Sequence, residues 1–345
     1  MRTLGENQAN DVPSIADRLM PPEFQTHVLD IPATAAGQRL DRALAAALPQ
    51  YSRARLQRWI REGAVRVTGK AARARDRVRG GEQVVVNASF APEQSIEPEA
   101  MALVIVHQDR ELLVLNKPAG LVVHPGAGNR AHTLQNALLA HDSALARIPR
   151  AGLVHRLDKE TSGLLLVART PLAHTRLVRQ LAAREIQREY QALVIGKPTG
   201  GGRIEQPIGR HRSVRTRMAV RSDGRAAITH YRIEERFRTH TLLRVQLETG
   251  RTHQIRVHLA HVGLPIVGDP AYGGRRRQIA GHADGLNERL HAFRRQALHA
   301  QRLQFEHPLK GRQMTFEAPL PADFASLLAA LRADARVNRS TGSRR

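Results

Sequence analysis

The chain has 345 residues, room for two compact domains and tails, and its 41% hydrophobic and 25% charged residues are the balance of a globular protein. It contains no cysteine, which excludes disulfides, thiolate catalysis and cysteine-ligated zinc. Its formal net charge of +23 points to a polyanionic partner, and only five of the 54 basic residues are lysines, so the charge is carried mostly by guanidinium forks suited to phosphate. GC-rich codon usage would inflate arginine in any protein, so charge alone gives a direction rather than a function. An aromatic content of 3% argues against binding through rows of stacked rings. No apolar run reaches the roughly 18 residues that span a bilayer, and the N-terminus has no apolar core of a secretory signal. The expectation is a cytoplasmic protein with no membrane partner.

Residues 1–24 lack sustained periodicity and read as a disordered tail. A small unit is expected over residues 25–90. Leu40, Leu44 and Leu48 lie on one face of a helix that stops before Pro49. Ser52 is placed to cap a second helix, where Leu56, Trp59 and Ile60 face a core and Arg53, Arg55, Arg58 and Arg61 face outward. Gly63 ends that helix, Val65 and Val67 alternate as a strand, Thr68-Gly69-Lys70 turns the chain, and Val84-Val85-Val86 supplies a closing strand.

A Pro/Glu-rich linker is expected over residues 91–101, a larger domain over residues 102–332 and a basic flexible tail over residues 333–345. In the larger domain, strands are predicted at Leu112–Leu115, Leu164–Ala168, Gln191–Ile195, Ile228–Ile233 and Leu242–Leu247. Helices are predicted at 171–183, with Thr170 as N-cap and Pro171 at N1, and at 255–262. Strands that do not alternate strictly with helices argue for an α+β fold with a mixed, largely antiparallel sheet. No glycine-rich nucleotide loop is present, and Gly200-Gly201-Gly202 reads as an ordinary loop.

The chemistry centres on Gly152-Leu153-Val154-His155-Arg156-Leu157-Asp158-Lys159-Glu160-Thr161-Ser162-Gly163. Asp158 falls on a turn-like segment feeding an apolar strand, where a rigid sheet can position it. Nearby Arg156 and Lys159 favour its ionised form. On the residues alone, an aspartate that merely closes a turn is the commoner situation. His253, His258 and His261 are closely spaced, but without an acid in that run they read as structural or RNA-contacting groups, and no metal site is expected. Arg275-Arg276-Arg277 reads either as a phosphate contact or as a solvated run.

Taken together, several segments change this balance. HRLDKETSGLLLVA at 155–168 resembles the catalytic motif of the RluA-type pseudouridine synthases. LNKPAG at 115–120, Arg188-Glu189-Tyr190, LETGRTHQIRVH at 247–258 and GDPAYGG at 268–274 resemble further motifs of that family, in family order. Residues 37–87 resemble the S4 RNA-binding domain.

The resemblance implies conversion of uridine to pseudouridine in 23S rRNA, in the stem-loop facing the decoding centre, with no cofactor and no metal. It casts Asp158 as the catalytic carboxylate, acting as nucleophile at C1′ or as base at C2′. By the same analogy Arg256 pairs with Asp158, and Tyr190 stacks on the target base. Arg156 fills the space left by the extruded uridine, and Ile255 lies under the base or simply belongs to the core. Arg53, Arg55, Arg58, Arg61 and Lys70 would contact RNA through the S4-like unit. The expected partner is large-subunit rRNA or a pre-ribosomal particle, met by a monomer. The alternatives are a relative acting on other large-subunit or tRNA uridines, a non-catalytic RNA-binding assembly factor, and a histidine-metal hydrolase.

Overall fold

A computed structural model describes residues 24–51, 53–89, 96–126, 129, 131–273 and 285–342. The chain forms two compact units, Met1–Gln94 and Ser95–Arg345. The expected N-terminal tail before Phe24, the cap at Ser52, residues 91–95 of the linker and the Arg275–Arg277 run lie outside the described residues.

In the first unit the elements run β1 (Phe24–Asp30), α1 (Leu40–Ala47), α2 (Arg53–Arg61), β2 (Val65–Val67), β3 (Lys70–Ala71) and β4 (Gln83–Ser89). The strands form an antiparallel sheet in the order β1-β4-β2-β3. Thr68 and Gly69, both at positive φ, close the two-residue turn between β2 and β3. The apolar faces read from the helices meet the sheet: Leu40, Leu44, Leu56, Trp59, Ile60, Val84 and Val86 are all buried in one core. Burial of such a stripe, rather than propensity, holds helices this short.

In the second unit the order is β5 (Ile105–Gln108), β6 (Leu112–Lys117), α3 (Leu134–His141), β7 (Ser162–Ala168), α4 (Pro171–Ala182), β8 (Gln187–Ile195), β9 (Gly202–Glu205), β10 (Ile208–Arg210), β11 (Met218–Val220), β12 (Ile228–Arg236), β13 (His240–Leu247), α5 (Gln254–His261), α6 (Leu286–Ala292), β14 (Leu298–Glu306), β15 (Gln313–Glu317) and α7 (Ala322–Gly342). One large sheet runs β5-β6-β7-β14-β8-β13-β12-β9, with β15 added on β14, and β10 and β11 form a separate hairpin. In the large sheet only β7 and β14 pair in parallel. The fold is therefore α+β with a mixed, largely antiparallel sheet.

Both faces of β6 and β7 are covered. Leu113, Leu115, Leu165 and Val167 enter one core, while Leu112, Val114, Leu164, Leu166 and Ala168 enter the other. Burial on both sides explains why these strands read as unbroken apolar runs. The helix α4 begins as expected, with the Thr170 hydroxyl accepting from the Ala173 amide and Pro171 in the first turn. One expectation is corrected. Residues 333–342 are helical rather than a flexible tail, because α7 continues to Gly342, and residues 343–345 lie outside the described residues. Phe324, Leu327, Leu328 and Leu331 seat the helix in the core, and Asp334, almost fully buried, accepts from Arg238 at 3.1 Å.

The parallel contact between β7 and β14 lies next to Thr161 and Leu298, which line the site described below, and it needs a glycine. Gly163 pairs with Ala300, sits at φ +114°, and a Cβ there would overlap the Ala300 backbone, 2.6 Å from its nitrogen. Gly163→Ala should therefore destabilise the second unit by at least ~3 kcal/mol, read as a lowered midpoint in chemical denaturation.

Candidate active site

Asp158 lies on the segment that enters β7. Its main-chain carbonyl accepts from the Thr161 amide at 3.1 Å and closes the turn, which leaves the side chain for other work. That side chain reaches Arg256 of α5, whose Nη1 donates to Asp158 Oδ2 at 2.9 Å. The cation beside Asp158 is thus Arg256, whereas Lys159 is exposed.

Arg256 is itself held by Asp269, in the turn after Gly268. Its Nε donates to Asp269 Oδ2 at 2.7 Å and its Nη2 to Oδ1 at 2.9 Å, a bidentate clamp. Asp269 Oδ1 also accepts from the amides of Ala271 at 2.8 Å and Tyr272 at 3.0 Å. Burial would push the Asp269 carboxyl up, but the bonds and charge of Arg256, with the two amides, hold it below the usual carboxylate range. Burial disfavours the Arg256 charge too, and its bonds to Asp269 and the charge of Asp158 reverse that, so its pKa is raised. The Tyr272 ring lies under the guanidinium, 5.0 Å from ring centroid to Cζ.

His253 precedes α5 in a left-handed conformation, φ 57°. Its Nε2 is 3.9 Å from Asp158 Oδ1, and its Nδ1 is 2.8 Å from the Tyr272 hydroxyl, which accepts from the Met218 amide. Its pKa is lowered by burial, against the pull of Asp158. His258 is engaged elsewhere, with Thr229 Oγ1 and the Gln206 carbonyl each at 2.9 Å, and His261 faces solvent. Among the described residues no three histidines or acids converge as metal ligands.

Tyr190, on β8, is 4% exposed and lines the same cleft as Asp158, Arg256, Arg156 and Ile255, a space of about 660 Å³. Burial raises its hydroxyl pKa, so it stays protonated across the physiological range. Ile255 belongs both to the cleft wall and to the main core. Arg156 is exposed at the cleft and donates to His124 Nε2 at 3.3 Å.

Two supporting residues carry roles the sequence did not reveal. Asp269 sits within GDPAYGG, but its pairing crosses from a turn to a helix and leaves no periodic signal. Lys117, at the end of β6, is 1% exposed and donates to the carbonyls of Pro118, Leu121 and Lys159 at 2.7, 2.9 and 3.0 Å. The Gly120 amide also donates to the Lys159 carbonyl, at 2.9 Å. Thus LNKPAG is tied to the residue directly after Asp158. Burial draws Lys117 down to about 7, against the attraction of Glu160 and Asp158.

In the first unit, the arginines expected to face RNA divide. Arg53 donates to Asp41 at 3.0 and 2.8 Å, and Arg39 and Gln57 bond the same carboxylate, which is fully buried. Burial works to raise that carboxyl, and these donors bring it below its ordinary range. Arg53 is thus paired with a buried acid while its side chain stays half exposed. Arg55 lies 5.9 Å from the Trp59 ring centroid, and Arg58 pairs with Glu62 at 3.8 Å. Arg61 and Lys70 project into solvent.

Asp269→Asn should remove the clamp on Arg256 and cost about 3–5 kcal/mol, as for other broken buried pairs, measured by denaturant midpoint. Lys117→Met should cost about 2–3 kcal/mol through unsatisfied carbonyls. Below pH 7 Lys117 is protonated in both the native and the unfolded state. Above about 7, and up to the ordinary value of 10.5, the native state sheds the proton while the unfolded chain keeps it, so native stability rises with pH. The stability gap between the wild type and Lys117→Met should accordingly widen from pH 6 to pH 9.

The chain matches the family model for RNA pseudouridylate synthase over residues 111–261 and that for the S4 domain over residues 38–84. It is 52% identical over 304 residues, 88% of this chain and 92% of the relative, to ribosomal large subunit pseudouridine synthase D of Xanthomonas campestris pv. campestris. It is 52% identical over 299 residues, 86% of this chain and 92% of the relative, to the protein of that name from Escherichia coli strain K12. The solved structure of human RNA pseudouridylate synthase domain containing 4 superposes with a TM-score of 0.52 at 27% identity, over 66% of this chain and 93% of that one. Half of all positions shared along nearly its full length, with both models matched in order, means that this chain belongs to the RNA pseudouridine synthase family.

Proposed function

We propose that the protein isomerises uridines of large-subunit rRNA to pseudouridine, with Asp158 as the catalytic carboxylate. The observation that carries this reading is the Asp158–Arg256 pair at 2.9 Å, in a cleft that also holds Tyr190. The relatives named for large-subunit synthases support the target class. Within this reading, uridine is extruded from its stack and enters the cleft. Either Asp158 attacks C1′ as the N1–C1′ bond breaks and is displaced when C5 bonds to C1′, or it takes the C2′ proton as N1 leaves and returns it to C2′ as C5 bonds to C1′; in both the base turns in between, C5 then loses its proton and N1 gains one. Both routes begin from an ionised carboxylate, and the Arg256 guanidinium gives that carboxylate a fixed hydrogen-bond partner. Tyr190 lies against the base, and Arg156, exposed at the cleft, occupies the vacated position in the RNA. Substrate and product are isomers, so the balance of atoms and electrons calls for no cofactor. The site is assembled from one chain, so a monomer suffices. No helix among the described residues is long and apolar enough to cross a membrane.

Asp158→Asn should bind an rRNA hairpin yet lower pseudouridine formation by at least about a thousandfold, read by chemical mapping of the product. Unchanged product formation would end the catalytic assignment. Mapping rRNA and tRNA from a deletion strain tests the target, and loss confined to tRNA would overturn it. RNA affinity should fall with salt, each phosphate contact adding about 0.7–0.9 to the slope of log K against log salt.

A further inference from the structure

Arg188 sits on β8 two residues before Tyr190 and is 7% exposed. Among the described residues it pairs with no carboxylate, and its Nε is shielded from solvent without a hydrogen-bond partner. A buried guanidinium with no counter-charge is costly to the free protein, and such a group persists where something else compensates it. The guanidinium lies over Gly250, where a Cβ would stand 2.8 Å from Nη1. The ETGRTH turn thus leaves room for it.

His155 lines the same cleft. Its Nε2 accepts from the Leu166 amide at 3.1 Å, so in the neutral ring the proton resides on Nδ1. Burial first, then the charge of Arg188, hold this ring down to about 3, which keeps it neutral. Its Nδ1 is shielded from solvent and likewise has no partner. Two residues of one cleft lining therefore each carry a buried donor without an acceptor, and one of them is a cation with no carboxylate partner among the described residues. The two carboxylates there are already engaged, Asp158 with Arg256, and Glu248 with Arg184 and His230.

Arg188 and Tyr190, at i and i+2 of one strand, leave the same face about 6–7 Å apart. That spacing suits a uracil against the tyrosine and the phosphate of the same or the adjoining nucleotide against the arginine. A neutral acceptor would satisfy the donors and leave the cation uncompensated, whereas an anionic oxygen does both. We propose that the Arg188 guanidinium, with His155 beside it in the cleft lining, forms a niche for a non-bridging oxygen of the phosphodiester flanking the extruded uridine. This rests on the pseudouridine synthase reading above.

The test uses the full-length protein and a large-subunit rRNA hairpin whose loop carries a single uridine. Arg188→Gln and the wild type are compared on that hairpin and on versions with a neutral methylphosphonate immediately 5′ or 3′ of the uridine, by kcat/KM and by binding. On the natural hairpin Arg188→Gln should lose about ten- to a hundredfold, the worth of a hydrogen bond to a charged group. At one of the two positions the methylphosphonate should cost the wild type a similar factor and cost Arg188→Gln nothing more. Additive losses at both positions would overturn the proposal. Arg188→Gln should melt at or above the wild-type temperature, since an uncompensated buried charge is removed. A lower melting temperature would show that the guanidinium has a structural partner and would equally overturn it. Should the wild type bind with the expected phosphate dependence yet form no pseudouridine, the niche would stand and the enzymatic reading would fall.

Discussion

One guanidinium organises the site. Arg256 spends Nε and Nη2 on Asp269 and has Nη1 left for Asp158, so the fork fixes the direction from which the second carboxylate is met. The order of support runs from backbone to side chain: the amides of Ala271 and Tyr272 hold Asp269, Asp269 holds Arg256, and Arg256 holds Asp158. Asp269 and Arg256 are nearly inaccessible to water, which strengthens each link and penalises any that is broken. Lysine at position 256 would offer a point charge without the fork and could not fix both partners in this geometry.

The loop carrying Asp158 is fastened from beneath by a second set of contacts. Lys117 and Gly120 converge on the Lys159 carbonyl, His155 takes the Leu166 amide, and Gly163 lets β14 approach β7. These contacts join the motif at the end of β6 to the entrance of β7 and the lining of the cleft. The short motifs separated along the chain are therefore pieces of one support.

Much of this was legible in sequence, for identifiable reasons. Strands β6 and β7 were readable because two covered faces produce continuous apolar runs, and the helices of the first unit because one face of each is apolar. Strand β14, central to the sheet, was not, because it buries His299 against Ser162 and Ala318, and polar residues at inner positions hide the alternation. Helix α7 was hidden by its charges: Arg332 pairs with Glu235 and Asp334 with Arg238, so residues that look like a solvated tail are structural. The positions of the candidate site were legible through family resemblance, and composition alone favoured a turn aspartate. The pairing of Arg53 could not be read from its arginine stripe, because its partner Asp41 lies on the preceding helix. Asp269, Lys117 and Arg188 escaped because their environments are set by chain segments far away in sequence.

Helix α5 is buried along most of its length, and the acid and the cation it helps align are held by the chain's own contacts. A cleft so thoroughly cross-braced has little capacity to mould itself around a duplex. The work of deformation then falls on the nucleic acid, and the cheapest substrates are uridines whose stacking is already weak, in loops and at bends. Rigidity of the protein would in this way act as a filter on RNA shape, ahead of any reading of the bases.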